Sequence, residues 1–320
     1  MYIRSASVAV AVLALVGATS LAKARAIAIA APPNATAQAM EAEVIVTGKI
    51  VEVEKDVVEA TPFKGAPKEQ KQSFKIAVLK IEDAIIGGTG LTQIRIGFPA
   101  DAAPAAPAGG ADAPPAGPAL RRPFPGRGPV ALYAGQEGCF FLIAHHEGDF
   151  YVMAGFGGPL NKKEEGYAKK LEEVKGVAKT IEDPVTALKA KTLEARYKAA
   201  LVVLSRYQRV PAGNAPDKQP TREPIPADEN KLIVQILIDL PWAEKAGGRP
   251  RTGTQQPGPT RSQLWYMINP QELGYKEPVF PPQVPGAAPI DYNKIMDEAS
   301  GKFLKDNAAK IKIRKFVASK

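Results

Sequence analysis

The stretch EVIVTGKIVEVE, from Glu43 to Glu54, decides the fold. It is rich in β-branched residues, as strands are, and apolar and polar residues alternate in it, which is typical of a strand with one buried face. The alternation changes phase: even positions are apolar before Gly48, and the odd positions Val51 and Val53 are apolar at the end. Glycine inside a strand marks a bulge, a bend or a backbone passing close by. We therefore predict the strongly bent first strand of a small barrel.

Four more strands are predicted downstream. Lys55–Lys71 contains two prolines and a glycine among charged residues and is predicted to be a loop, and the glycine-rich run at 87–90 is predicted to be a hairpin turn. His146–Gly148 is predicted to be the turn of a second hairpin. The predicted strands are Ser73–Ile81, Thr92–Phe98, Cys139–His145 and Asp149–Gly155.

A low-complexity segment interrupts the predicted barrel. Residues 99–129 are almost entirely Ala, Pro, Gly and Asp, apart from three arginines near the end. Such a composition buries too little apolar surface to offset the entropy of ordering. Because strand patterns resume directly afterwards, we predict a disordered insertion in one barrel that spans residues 41–158.

Helical periodicity dominates the rest of the chain. Asn161 and Asp183-Pro184 are predicted helix starts, since a capping side chain and a proline at the first helical position favour initiation. Arg206 is predicted to lie on or beside the solvated side of the second helix, which is predicted to break near Thr192. The predicted order is a helical hairpin at 160–210, a linker at 211–226, and a helical region at 227–320 with a Pro/Gly-rich loop at 243–260. The predicted fold class is therefore α+β: a five-stranded OB-like barrel followed by a mainly helical C-terminal domain.

The segment Glu229–Leu240 is apolar nearly all round, which fits a buried helix or a buried strand. Its length and a potential cap at Asp228 favour the helix. After a last helix, Asp291–Asn307, alternating isoleucines and cations predict a short closing strand.

The first residues have the pattern of a signal peptide, predicted at 1–26. A positive start is followed by the uncharged apolar run Ser5–Ala22, and Ala24-Arg25-Ala26 offers a cleavage site, with a second candidate near Ala30. A retained anchor is the alternative, because the run approaches the ~17–18 residues that span a bilayer. If the signal peptide is cleaved, we expect an exported protein with no stable transmembrane anchor. The stretch at 27–40 is predicted to be disordered.

The chain carries a formal charge of +9, and removal of the leader takes away three cations and no acid. A mildly basic surface suits contact with anionic polymers or membranes, but it also keeps a protein soluble, which is the reading we favour. The single cysteine, Cys139, excludes an intramolecular disulfide and a cysteine-based metal cage. It is predicted to be a small buried residue.

No catalytic motif emerges from the sequence. His145 and His146 are adjacent at a strand end, where neighbouring side chains leave on opposite faces, so they are predicted to be surface residues and no metal site is assigned. Cys139 and His145 share a strand face but stand too far apart to form a nucleophile–base pair within it. No catalytic, cofactor-binding or metal-binding residue, and no cofactor, is predicted. The acidic pairs are predicted to be solvated helix faces: Glu164-Glu165, Glu172-Glu173 and Asp297-Glu298.

The pieces VIVTGKIVEVE, FKIAVLKIEDAIIGG, IRIGF and LYAGQEGCFFLIAHHEGDFYVMAGF, within Glu43–Phe156, together resemble the netrin/TIMP-like class of OB barrels. Inhibitory members of that class use an N-terminal cysteine and several disulfides, which this chain lacks, so metalloprotease inhibition is not implied. More widely, the chain is similar to uncharacterised exported proteins of planctomycete-type bacteria, through DPVTALKAKTLEARYKAALVVLSRYQ and the ending IKIRKFV. That similarity implies no activity.

These features favour an exported, non-catalytic binding or structural protein of the bacterial cell envelope, with a protein or envelope component as partner. One alternative is an envelope enzyme that uses carboxylates or an added metal. The other is OB-type binding of single-stranded nucleic acid, an unlikely partner class for an exported protein, with Phe74, Phe150 and Tyr151 as the stacking side chains.

Overall fold

The computed structural model describes residues 35–104, 130–155, 157–210, 220–243, 258–283 and 289–318. These residues form seven α-helices and ten strands, which follow in chain order: α1 (Ala35–Glu41), β1 (Val44–Ala60), β2 (Gln72–Ile86), β3 (Gln93–Pro99), β4 (Ala103–Pro104), β5 (Val130–Ala131), β6 (Glu137–Ala144), β7 (Tyr151–Met153), β8 (Leu160–Asn161), α2 (Tyr167–Glu182), α3 (Pro184–Leu188), α4 (Leu193–Tyr207), β9 (Thr221–Pro224), α5 (Ala227–Asp239), α6 (Arg261–Trp265), α7 (Tyr292–Asn307) and β10 (Arg314–Val317). Several predicted segments lie outside the described residues, wholly or in part: the signal peptide, the insertion, the linker and the Pro/Gly-rich loop.

A six-stranded sheet is the centre of the first half of the chain. Its order is β1-β2-β3-β7-β6-β8, and β1 also pairs with β6, so hydrogen bonds close the sheet into a ring. The neighbours are antiparallel except for the parallel pair β3–β7. The α+β class is therefore confirmed. The sixth strand, β8, lies where a helix start was predicted at Asn161, because that side chain bonds to Glu164 in a turn and the helix begins only at Tyr167.

The predicted bend in the first strand is confirmed, with its cause. The register of β1 against β2 shifts between Thr47 and Gly48 and again between Ile50 and Glu52. A Cβ on Gly48 would overlap the carbonyl oxygen of Lys80 on β2, so the close approach of a second backbone requires glycine there. The shift between Ile50 and Glu52 changes which positions face inward: Ile50 is buried before it, and Val53 is partly buried after it. Val51, predicted to be buried, is 44% exposed.

The predicted loop at Lys55–Lys71 is wrong over its first part, because β1 continues to Ala60 and pairs with the start of β2. Charged residues do not interrupt a strand whose outer side faces solvent, and Lys55, Asp56 and Glu59 are all exposed. The predicted turn at 87–90 is confirmed between antiparallel β2 and β3. The start of the predicted insertion is also ordered, since β4 pairs with β5, which directly follows the insertion.

Both faces of the sheet are buried near the start of β1. Val46 and Ile50 point into the ring, where they pack with Leu79, Ile96 and Phe140. On the opposite face, Ile45, Cys139 and Phe141 pack against residues of α1, α2 and α4. This outer layer corrects the prediction of disorder over 27–40: residues 35–41 are helical, because small alanines let the helix pack closely and Gln38 bonds to the Gly158 carbonyl.

Helices α3 to α7 share one further core. Asp183 caps α3 by accepting from the N–H of Thr186, and Thr192 caps α4, so the predicted start and break are confirmed. Segment Ala227–Asp239 is a helix, as favoured over a strand, although Pro226 stands at its N-cap and Asp228 does not cap it. The end of the predicted linker is a strand, because β9 pairs with the closing strand β10.

No helix in these described ranges is long and apolar enough to cross a membrane.

Candidate functional site

His145 is buried, which corrects its predicted place at the surface. Only 7% of the residue is exposed, and its ring stacks on that of Phe150 with 4.5 Å between centroids. The backbone N–H of Glu147 donates to Nδ1 over 3.2 Å, and Nε2 lies 3.1 Å from the carbonyl oxygen of Thr61. Nδ1 is therefore an acceptor, so the neutral ring carries its proton on Nε2 and donates it to Thr61.

His146 and Glu147 hold the same threonine. The Thr61 hydroxyl lies 2.7 Å from His146 Nε2, and the Thr61 N–H donates to Glu147 Oε2 over 2.8 Å. The two histidine rings approach to 4.4 Å between centroids, although alternation predicted opposite faces. Alternation fails because β6 ends at Ala144, one residue before the pair. We call Thr61, His145, His146 and Glu147 the Thr61 latch.

The latch fixes the chain and offers no nucleophile. Thr61 is 2% exposed, so its hydroxyl is closed to a substrate in spite of the histidine beside it. The hydrogen bond from the Thr61 backbone N–H lowers the pKa of Glu147 to about 2. Burial, and next the neighbouring His146, lowers the pKa of His145 below its ordinary value. At neutral pH the latch therefore contains a carboxylate and an uncharged His145 ring.

Cys139 is buried, as predicted, and burial raises the pKa of its thiol to about 12. It packs on the outer face of the sheet with Ile45, whereas His145 contacts Phe74 and Phe150. The two residues are therefore in separate surroundings. Within the described parts of the chain, no group of three or more His, Cys, Asp or Glu side chains is arranged to hold a metal ion.

The three acidic pairs do not share one environment. Glu164 lies in the turn before α2, where it bonds to Asn161 and Lys170, so its predicted place on a helix face is wrong. Glu172, on α2, pairs with Lys175, as surface helix residues do. The Asp297 side chain is 47% exposed, in agreement with the prediction of a solvated face, but its carboxylate also accepts from the Trp242 N–H over 2.7 Å and lies 3.2 Å from the guanidinium of Arg261.

Arg261 is a buried cation that no sequence pattern identifies. It is 5% exposed and donates to the carbonyls of Leu237 and Leu240 over 2.7 Å each, and to Ser300 Oγ over 2.9 Å. These carbonyls form the C-terminal end of α5, where a cation is favoured by the helix dipole. Arg261 thus ties α5 to α6 and α7, which is a structural role.

The three aromatic rings considered for base stacking are not available to a nucleic acid. Phe74 and Phe150 are buried against each other, with 5.5 Å between ring centroids. Tyr151 is half-buried and packs against the core inside the ring of strands. The stacking surface that this alternative requires is therefore absent at these three residues.

A basic pocket lies between the start of β1, the end of α4 and β10. Its volume is about 500 Å³. We call it the Arg209 pocket, and its lining is Glu43, Arg206, Tyr207, Arg209, Val210, Lys315, Phe316, Val317 and Ala318. Three cations therefore face one carboxylate, and Tyr207 and four apolar side chains form the rest of the wall.

The cations of the Arg209 pocket are held by the fold. Arg206, predicted to lie on or beside the solvated side of its helix, is half-buried there and donates to the carbonyl of Ala42 over 2.9 Å. The Nζ of Lys315 lies 5.5 Å from the ring centroid of Tyr207, a cation–π contact. The Tyr207 hydroxyl donates to Glu229 over 2.6 Å, and burial, with that carboxylate, raises its pKa. The lining is thus largely preformed.

Arg209 is the least satisfied group in the pocket. Its Nη2 lies 3.4 Å from Glu43 Oε1, a long contact, and its Nη1 is buried without a hydrogen-bond partner in the described parts of the chain. Burial lowers the pKa of Arg209, while Glu43 raises it and Arg206 lowers it. The guanidinium therefore has less counter-charge than its surroundings require.

Comparison with known proteins gives no relative: no family model, no curated protein and no solved structure matches this chain.

Proposed function

We propose that this chain is an exported, non-catalytic binding protein of the bacterial cell envelope, and that the Arg209 pocket receives a carboxylate attached to an apolar body. The observation that carries the proposal is the state of Arg209. Its buried Nη1 has no partner among the described residues, and its Nη2 makes only a long contact with Glu43.

An unpaired buried donor is costly, at ~1–3 kcal/mol for a group of this kind. Cations at the end of α4 are favoured by the helix dipole, which accounts for their position but leaves Nη1 unpaired. A ligand carboxylate would supply the acceptor once the guanidinium turns toward the pocket, because guanidinium groups bind carboxylates through two parallel hydrogen bonds. Glu43 cannot do so fully, since its other oxygen accepts from the Ala144 N–H.

The apolar part of the ligand follows from the rest of the lining. Val210, Phe316 and Val317 stand beside the cations, so a small inorganic anion would leave this surface uncovered. A volume of about 500 Å³ lies within the ~300–1,000 Å³ that is usual for sites of small organic molecules. An aryl or alkyl carboxylate would use both parts of the pocket.

We further propose that the closed sheet is an OB-like barrel of the netrin/TIMP-like class. This is supported by its order, in which β1 pairs with both β2 and β6 while β3 runs parallel to β7, and by the bend at Gly48. Export is supported by the leader at 1–26. On this proposal the barrel is the scaffold, and the pocket at its junction with the helices is the binding site.

The test is isothermal titration calorimetry with 4-phenylbutyrate and with its uncharged amide, on the mature chain. We expect saturable binding of the carboxylate with a Kd of about 0.1–1 mM, weakening as salt is added, and no measurable binding of the amide. Arg209→Met should weaken binding at least tenfold, because a charge-assisted hydrogen bond contributes ~1.5–3 kcal/mol.

The control is Arg196→Met, which makes the same chemical change near the start of α4, whereas Arg209 lies just beyond the end of that helix. Arg196 pairs with Asp239 and does not line the pocket, so this variant should bind as the parent does. Equal binding of carboxylate and amide, or equal affinity of the parent and Arg209→Met, would overturn the proposal.

A further inference from the structure

A second basic groove lies between the end of α6 with the turn that follows it and the segment that leads into β10. Its volume is about 430 Å³, and nothing in the proposed function accounts for it. We call it the Lys312 groove, and its lining is Ile268, Asn269, Glu272, Leu273, Lys310, Lys312 and Arg314. Three cations on one short stretch of chain thus line the same concave surface.

The stretch that carries these cations is held firmly on the helical core. Ile311 and Ile313 are buried while Lys312 and Arg314 are exposed, the alternation of an extended strand. The Asn230 side chain donates to the Ile311 carbonyl and accepts from the Ile313 N–H, each over 2.9 Å. The cations are therefore presented in a fixed row rather than on a free tail.

The row lacks counter-charge. Glu272 is the one acidic residue of the lining, and it pairs with Arg222 at 2.7 Å, outside the row. In the described residues, no carboxylate forms an ion pair with Lys310, Lys312 or Arg314. A ligand with several negative groups would meet cations that are not already neutralised.

The spacing of the cations along the Lys312 groove indicates the spacing of negative groups in a matching ligand. Side chains two apart on an extended chain stand ~6.6 Å apart and point the same way, as Lys312 and Arg314 do. An extended peptide repeats its own side chains with the same period, so alternate Asp or Glu residues would face the row one to one. We propose that the Lys312 groove binds an extended acidic peptide segment of a partner protein, with acids at alternate positions.

This inference does not depend on the proposed function, since the two sites share no lining residue. The test is fluorescence anisotropy at low salt with two labelled hexapeptides of equal composition, Glu-Thr-Glu-Thr-Glu-Thr and Glu-Glu-Glu-Thr-Thr-Thr. The alternating peptide should bind at least fivefold more tightly. Lys312→Glu should weaken its binding at least tenfold, because it removes one ion pair and adds a like charge.

Two control variants isolate the site. Lys169→Glu makes the same charge change on the exposed side of α2, and Arg209→Met disables the other pocket; both should bind the alternating peptide as the parent does, and thermal melts should show all variants folded. Equal affinity for the two peptides, or equal weakening by Lys169→Glu and Lys312→Glu, would overturn the inference. Tighter binding of inorganic polyphosphate than of the alternating peptide, lost in Lys312→Glu, would also overturn it in favour of a phosphate polymer.

Discussion

Replacing Arg261 with methionine should destabilise the helical core more than any surface substitution does. The guanidinium donates to the carbonyls of Leu237 and Leu240 over 2.7 Å each, to Ser300 Oγ over 2.9 Å, and to the Asp297 carbonyl over 3.0 Å. Methionine keeps the apolar stem of the side chain but donates nothing. The end of α5 would then keep its buried carbonyls without partners.

The magnitude follows from these contacts. Each buried acceptor left unpaired costs ~1–3 kcal/mol, and the substitution removes the two shortest bonds, to the carbonyls of Leu237 and Leu240. Burial also lowers the pKa of Arg261, which shows that holding the charge there is itself unfavourable, and methionine removes that cost. We therefore expect a net loss of ~2–4 kcal/mol in the free energy of unfolding.

Urea unfolding followed by tryptophan fluorescence measures this loss. The chain has two tryptophans, Trp242 and Trp265, and both are buried in the same core as α5, so the signal reports on the affected region. Arg196→Met is the matched control, with an expected loss of ~1 kcal/mol or less for a pair near the surface. The reasoning is refuted if Arg261→Met loses under ~1 kcal/mol or no more than the control.

Three further predictions concern the backbone, the latch and the leader. Gly48→Ala should lower the free energy of unfolding by at least ~3 kcal/mol, because the new Cβ would overlap the Lys80 carbonyl oxygen. Gly176→Ala should stabilise α2 by ~0.5–1 kcal/mol, because nothing crowds the new atom there. Urea titration of both variants measures these changes. The pKa of His145 is lowered in the fold, so stability should fall as pH drops below the ordinary value of 6.5 toward the folded pKa, and His145→Gln should remove that slope; a parent with equal stability at pH 7 and 5 would contradict this. The mass of the protein recovered from the producing cell should correspond to cleavage after Ala26, and an intact leader would contradict export with processing.

The sequence predicts elements whose cause is local. Asp183-Pro184 starts a helix because the capping carboxylate and the fixed proline dihedral act within one turn. The run at 87–90 forms a hairpin turn because Gly87, Gly88 and Gly90 adopt positive φ. The bend at Gly48 can also be predicted from the sequence, because the glycine stands next to the point where the alternation of apolar and polar residues changes phase.

What the sequence does not predict depends on contacts between distant segments. The stretch at 35–41 has no strong periodicity, and it is helical because the sheet and α2 cover its alanines. His145 is buried by Phe74, some seventy positions earlier in the chain. The Arg209 pocket combines the end of α4 with Glu43 and Lys315, and no spacing in the sequence relates these three segments.

The most direct test of the binding proposal is the affinity of Glu43→Gln for 4-phenylbutyrate, measured by calorimetry beside the parent. Glutamine keeps an oxygen for the Ala144 N–H but removes the negative charge beside Arg209, so it takes away the internal competitor and leaves the cations in place. We predict that the carboxylate binds at least threefold more tightly to Glu43→Gln than to the parent, while the uncharged amide still does not bind. An affinity that is unchanged or weaker in Glu43→Gln would contradict a site in which a ligand carboxylate pairs with Arg209.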